Sequence, residues 1–149
     1  MKIKIAAVAL IIGMFAVNGY AQESLVSNAT SVRSSAVLTT ADVLSTTFTI
    51  PADVRAVDIY TTLTLGSLTN VIISPAGAKD GNPDSSGYFA ATNYQKTYTA
   101  SGTYVIRVPR EEFGAYRYAG VFARGTGTVT NSFCQISYKF DKGLPFTRP

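Results

Sequence analysis

Histidine does not occur in this 149-residue chain, and cysteine occurs once, at Cys134. Ser-His-Asp and Cys-His catalysis and all His-ligated metal sites are thereby excluded. One thiol can neither build a structural zinc site nor close an intramolecular disulfide. Neither a P-loop nor a dinucleotide fingerprint is present. Carboxylates remain, because two converging Asp or Glu side chains suffice for glycoside hydrolysis. Glu111 and Glu112, however, are adjacent and follow Arg110, a pattern of solvated ion pairing. Asp53 and Asp58 mark the start of one strand and its polar face. The residue inventory therefore reads as non-enzymatic, with a carboxylate hydrolase as the remotest alternative.

Two further constellations could bind rather than react. In Asp80-Gly81-Asn82-Pro83-Asp84-Ser85, the residues Asp80, Asn82 and Asp84 alternate as oxygen ligands do in Ca²⁺ loops. The glycine and bidentate Glu of an EF-type loop would fall at Ser85 and Ala91, and Asp, Asn, Gly and Pro are also ordinary turn residues. The segment is read as a solvated turn, with a Ca²⁺ site as the alternative; no other cofactor is expected. Tyr94, Lys96 and Tyr98 would share one face of a strand, and the phase of the preceding pattern turns Tyr60 outward. Tyr116 and Tyr118 alternate on one face of an apolar run at residues 115–123. Together these six form the candidate interface or glycan-binding set, since exposed tyrosines with a nearby cation stack on sugars and protein surfaces. Tyr is equally at home as a half-buried strand residue. Trp, the commonest sugar-stacking side chain, is absent.

These side chains must be positioned by strands. After residue 21 no stretch repeats apolar residues at helical spacing, whereas two-residue alternation of Thr, Val, Ile, Tyr and Phe recurs. Residues 54–65 place Val57, Ile59, Leu63 and Leu65 on one face, and Asp58, Tyr60, Thr62 and Thr64 on the other. Phe48 and Ile50 share a face, as do Tyr104, Ile106 and Val108, and Cys134, Ile136 and Tyr138. Val71-Ile72-Ile73 reads as a short strand and residues 75–87 as a loop. Gly125-Thr126-Gly127 reads as a hairpin turn. About eight strands with regular turn signals predict an all-β, antiparallel β-sandwich or jelly roll. Cys134 fits a small buried hydrophobe, with an intermolecular bridge as the alternative.

The N-terminus reads as a secretory signal. Lys2 and Lys4 precede an apolar run at residues 5–17, too short for the ~20 residues that span a bilayer. Gly19-Tyr20-Ala21 then offers small residues for cleavage after Ala21. The expected organisation is a signal peptide at 1–21, an N-terminal arm with an edge strand at 22–43, the β-domain at 44–140 and a tail at 141–149. Loss of Lys2 and Lys4 lowers the formal charge from +4 to +2, with no basic cluster of the kind nucleic acid requires. The expected location is periplasmic, cell-surface or extracellular, without a stable membrane span in the mature chain.

Val57-Asp58-Ile59-Tyr60 running into Leu63-Thr64-Leu65-Gly66-Ser67-Leu68-Thr69-Asn70 forms one recognisable stretch. Thr99-Ala100-Ser101-Gly102-Thr103-Tyr104 with Gly125-Thr126-Gly127-Thr128-Val129-Thr130 forms another. Together they resemble small β-sandwich virion accessory or decoration proteins, over about half of the mature chain. The resemblance lies in strand-and-turn patterns, so it implies a structural role and carries no site residue. The resulting expectation is an exported structural or assembly subunit that associates with itself or attaches to a surface. A carbohydrate-binding module that meets surface glycans is the alternative.

Overall fold

The computed structural model describes residues 29–78, 88–114 and 116–143. The expected signal peptide, the segment with Asp80, Asn82 and Asp84, and residues 144–149 lie outside the described residues. The described residues form ten strands: β1 (Thr30–Val37), β2 (Val43–Leu44), β3 (Phe48–Thr49), β4 (Ala56–Thr64), β5 (Leu68–Ala78), β6 (Tyr88–Ala90), β7 (Lys96–Tyr98), β8 (Gly102–Pro109), β9 (Tyr118–Gly127) and β10 (Phe133–Asp141). Among the described residues, helix is confined to two 3₁₀ turns, Thr92–Tyr94 and Arg110–Phe113. The protein is therefore all-β, as the two-residue periodicity predicts.

All strand pairs are antiparallel, and they form two sheets. Sheet I runs β1-β10-β4-β8. Sheet II runs β2-β9-β5-β6, with β3 also on β9 and β7 also on β5. Two of the edges of sheet II are broken for identifiable reasons. Between β2 and β3 the chain spends one residue more than its partner, because Leu44 faces Phe122 while Phe48 faces Ala119. Ser45 fills that bulge: its N–H donates to the Val121 carbonyl, and its Oγ accepts from the Val121 N–H. Between β6 and β7 the 3₁₀ turn interrupts pairing beside Pro75. A residue's N–H and C=O point to the same side of a strand, and the Pro75 carbonyl accepts from Ala91 on that side. The missing proline N–H therefore faces the interruption, where a ladder bond is not required.

One core lies between the sheets. Val57, Ile59, Leu63, Ile106, Val108, Cys134 and Ile136 come from sheet I, and Val71, Ile73, Ala119, Val121 and Ala123 from sheet II. Two aromatic stacks bridge the sheets at their sides. Phe48 of β3 stacks on Tyr138 of β10 with ring centroids 4.0 Å apart, and Tyr98 of β7 stacks on Tyr104 of β8 at the same 4.0 Å. Such pairs contribute about 0.5–1.5 kcal/mol beyond the area they bury.

Two expectations are corrected. Residues 75–78 continue β5 rather than opening a loop, because β9 pairs along its whole length. Gly125-Thr126-Gly127 is no hairpin turn: it ends β9 opposite Leu68 to Val71, and the chain then crosses to the other sheet. Gly125 is needed there for close approach, since a Cβ would come within 2.6 Å of the Leu68 side chain. The turn between β4 and β5 requires Gly66, which has a φ of 56° and whose Cβ would overlap the Thr130 carbonyl.

Thr61 sits on the inner face of β4, fully buried, and its hydroxyl has no hydrogen-bond partner. An orphaned buried hydroxyl opposes folding by about 1–3 kcal/mol. Thr61→Val keeps the shape and removes the hydroxyl, so it should raise stability by roughly 1 kcal/mol. Urea or thermal denaturation reads this directly; an unchanged or lowered midpoint contradicts the assignment.

Candidate functional site

The outer face of sheet I is where apolar surface is left uncovered. Val37, Val105 and Phe133, which are 55%, 50% and 39% exposed, are the exposed large hydrophobic residues among those described, and all three point outward from this sheet. Register explains their placement. Cys134 and Ile136 point inward, so Phe133 points out, and Val37 lies directly opposite it on β1. Tyr104, Ile106 and Val108 likewise turn Val105 outward, opposite Tyr60. Between these apolar positions runs a polar field of Thr62, Thr64, Thr103 and Gln135. The hydroxyls of Thr62 and Thr103 are 3.2 Å apart and hydrogen-bonded across β4 and β8.

The other end of the same face carries charge. Arg107 of β8 pairs with Asp58 of β4 at 3.2 Å and also with Asp141 of β10, so one guanidinium ties three strands together. The Asp141 carboxyl is held below its ordinary range, first by the Gly143 N–H and then by Arg107. Lys142 pairs with Asp53 at 2.9 Å beyond the sheet end. These groups are exposed, and exposed pairs contribute little to stability.

The six sequence-derived residues do not form one surface. Tyr60 points outward as its phase requires, yet it is buried rather than exposed, with Ser137 and Val105 as its cross-strand neighbours. Burial, then the Asp58 charge, pushes its phenol pKa up. Tyr94 belongs to the 3₁₀ turn and packs against the core, not on the strand of Lys96 and Tyr98. Tyr98 is half-buried under the Tyr104 ring, and burial raises its pKa. Lys96 is exposed opposite Ile73 at the rim of sheet II. Tyr116 lies before β9, packed over Gly77, where a Cβ would come 2.9 Å from its ring. Tyr118 opens β9, half-buried between Ala78 and Thr49. Residues 118–123 of the apolar run at 115–123 lie in β9, a central strand. Its inner face meets the core, and its outer face carries Tyr118 and Phe122.

Sequence reasoning missed a groove on the outer face of sheet II. Asp42, Ile72, Ser74, Gln95, Phe122 and Arg124 line a shallow space of about 310 Å³. Cross-strand register assembles it: Ile72 faces Arg124 and Ser74 faces Phe122. Arg124 pairs with Asp42 at 3.6 Å on its rim. The combination of one aromatic face with amide, hydroxyl and charged groups suits a small polar ligand. The one available signal was Phe122 on the outer side of a strand otherwise explained by the core. Among the described residues, no group of three or more His, Cys, Asp or Glu lies close enough to hold a metal.

Cys134 is fully buried in the core, which leaves no access for an intermolecular bridge. Desolvation raises its thiol to a pKa of about 11, against a smaller opposing effect of Arg33.

No protein-family model, curated protein or solved structure matches the chain.

Two predictions follow from these placements. The fold favours the protonated Cys134 thiol, so its contribution is complete below pH 9 and lost as pH rises toward about 11. The loss amounts to about 3 kcal/mol across that window, with Tyr60 and Tyr98 adding in the same direction. A Cys134→Ala variant should show a shallower fall of stability between pH 9 and 11 than the parent in parallel urea titrations. Tyr98→Ala should lower stability by about 2 kcal/mol through loss of ring packing; a variant as stable as the parent would return Tyr98 to the list of free binding residues.

Proposed function

We propose that this chain is an exported, non-enzymatic structural subunit with a jelly-roll fold, which associates with itself or attaches to a surface through the outer face of sheet I. The observation that carries the reading is the placement of Val37, Val105 and Phe133 on that one face. An apolar set rimmed by hydroxyls and charges has the composition of a contact surface rather than of a face designed only for water.

The pairing order supports the jelly roll. With β2 and β3 counted as one interrupted strand, and β6 and β7 as another, eight strands result. The first pairs the last, the second the seventh, the third the sixth and the fourth the fifth. That is a long antiparallel hairpin folded over into two sheets, an arrangement used by viral capsid and lectin domains. The resemblance to virion accessory proteins is compatible with it. Export is supported by Lys2, Lys4, the apolar run at 5–17 and the Gly19-Tyr20-Ala21 cleavage pattern.

Mass spectrometry of the secreted protein should find a chain beginning at Gln22. Light scattering should show self-association at high micromolar concentration or below. Val37→Ser with Phe133→Ser should weaken association or surface attachment at least tenfold while leaving the melting temperature unchanged. A monomer that binds no surface, or a double variant that behaves as the parent, defeats the reading.

The groove around Phe122 supports a second reading, carbohydrate binding, now at Phe122, Arg124, Asp42 and Gln95 instead of Tyr94, Lys96 and Tyr98. It predicts hits on a glycan array that Phe122→Ala reduces at least tenfold; an array without hits removes it.

A further inference from the structure

The four sheet edges are not equally protected. On sheet II the edges are β2 and β3, of two residues each, and β6 and β7, of three each. Short edges are poor templates for pairing. On sheet I the β1 edge shifts register twice, between Ser31 and Arg33 and again between Arg33 and Ala36. Arg33 folds back there to donate to the Val37 carbonyl at 3.0 Å. Bulges and an edge cation are both devices against strand addition.

The β8 edge has neither. It pairs with β4 in continuous register over eight residues, from Ala56 opposite Pro109 to Leu63 opposite Gly102. Among the described residues no other strand pairs with its far side. No lysine or proline interrupts residues 103–108. Its one charged residue, Arg107, is drawn across the sheet to Asp58 and Asp141 rather than out over the edge. Midway along the strand stands Val105, half exposed.

We propose that β8 is the edge at which a second copy of this chain binds, by antiparallel pairing of β8 with its counterpart about a two-fold axis at Val105. This rests on the self-association reading above and adds an edge contact to the apolar one at Val37 and Phe133. The sequence is self-complementary in this register. Val105 faces the partner's Val105, Tyr104 faces the partner's Ile106, and Thr103 faces the partner's Arg107. Apolar side chains meet on the axis, and the two arginines stay apart, each with its own carboxylates. Moving the axis by one residue to Ile106 would set Val105 against Arg107 and forfeit the apolar match. The resulting pair would join two copies of sheet I into one continuous sheet, an isologous and closed arrangement.

The test uses the mature secreted protein in sedimentation velocity over a concentration series. The parent should dimerise. Val105→Lys and Val105→Glu should each raise the dimer dissociation constant at least tenfold, by placing like charges on the axis, with circular dichroism unchanged. Mixing the two variants should restore dimers, because Lys then faces Glu. A parent that stays monomeric at high micromolar concentration overturns both this proposal and self-association, and so does a monomer that accepts only a strand from another protein. Association that persists in Val105→Lys overturns the β8 contact while leaving self-association standing. Loss without rescue on mixing overturns the two-fold register.

Discussion

The contact between the inner faces of the two sheets carries this fold. No disulfide ties the chain, so apolar burial and strand pairing must hold it. Val57, Ile59, Val71, Ile73, Val108, Val121 and Ile136 are all completely buried, and the small residues Ala119 and Ala123 thin the inner face of β9 so that the opposite sheet can close on it. The two aromatic stacks, Phe48 on Tyr138 and Tyr98 on Tyr104, then bridge the sides. The interior is committed to packing, down to the buried Cys134 thiol, so recognition is left to the outer faces and the edges.

That division explains what the sequence revealed and what it concealed. Two-residue alternation identified β4, β8 and β10 with the correct inner faces, because each has one face in the core. It failed where a second constraint acts. Pro75 looked like a strand end, and only the interruption between β6 and β7 makes it tolerable within β5. Gly125 and Gly127 looked like a turn, although Gly125 is there to admit Leu68. The tyrosines are the side chains whose placement the sequence shows least. Tyr94 and Tyr98 have the spacing of an exposed strip, but spacing along one strand does not show which ring the opposite sheet covers. The groove at Phe122 was invisible for the complementary reason: Asp42, Ser74, Gln95 and Arg124 come from four separate segments and meet only through register.

Sheet I segregates its outer face along the strands. Arg107, Asp58 and Asp141 hold one end in a cross-strand charge ladder, while Val37 and Phe133 expose apolar surface at the other. Hydroxyls of Thr62 and Thr103 lie between and satisfy one another. Arg107, Asp58 and Asp141 keep their partners within the sheet, so a contact over these three would not have to desolvate unpaired ions. The apolar end offers favourable burial with few polar groups to compensate. Sheet II lacks such a gradient: its groove is small and polar-rimmed, and its edges are short. The two faces are therefore suited to different occupants, a broad surface on sheet I and a small ligand on sheet II.

Magnitudes limit what the β8 edge can do by itself. Pairing residues 103–107 with a second copy adds about five backbone hydrogen bonds, each contributing a net of about 1 kcal/mol. Covering the half-exposed Val105 on both copies adds about 1 kcal/mol each. Edge pairing alone is thus a weak, concentration-dependent contact. Two conditions would make it effective. A surface that displays many copies holds neighbours at effective concentrations of about a millimolar, which converts a weak contact into a populated one. A second contact at Val37 and Phe133, at the opposite side of the same sheet, would add apolar burial without competing for the edge. On the proposed reading, a chain with one unprotected edge and one apolar corner stays dispersed when dilute and associates when arrayed.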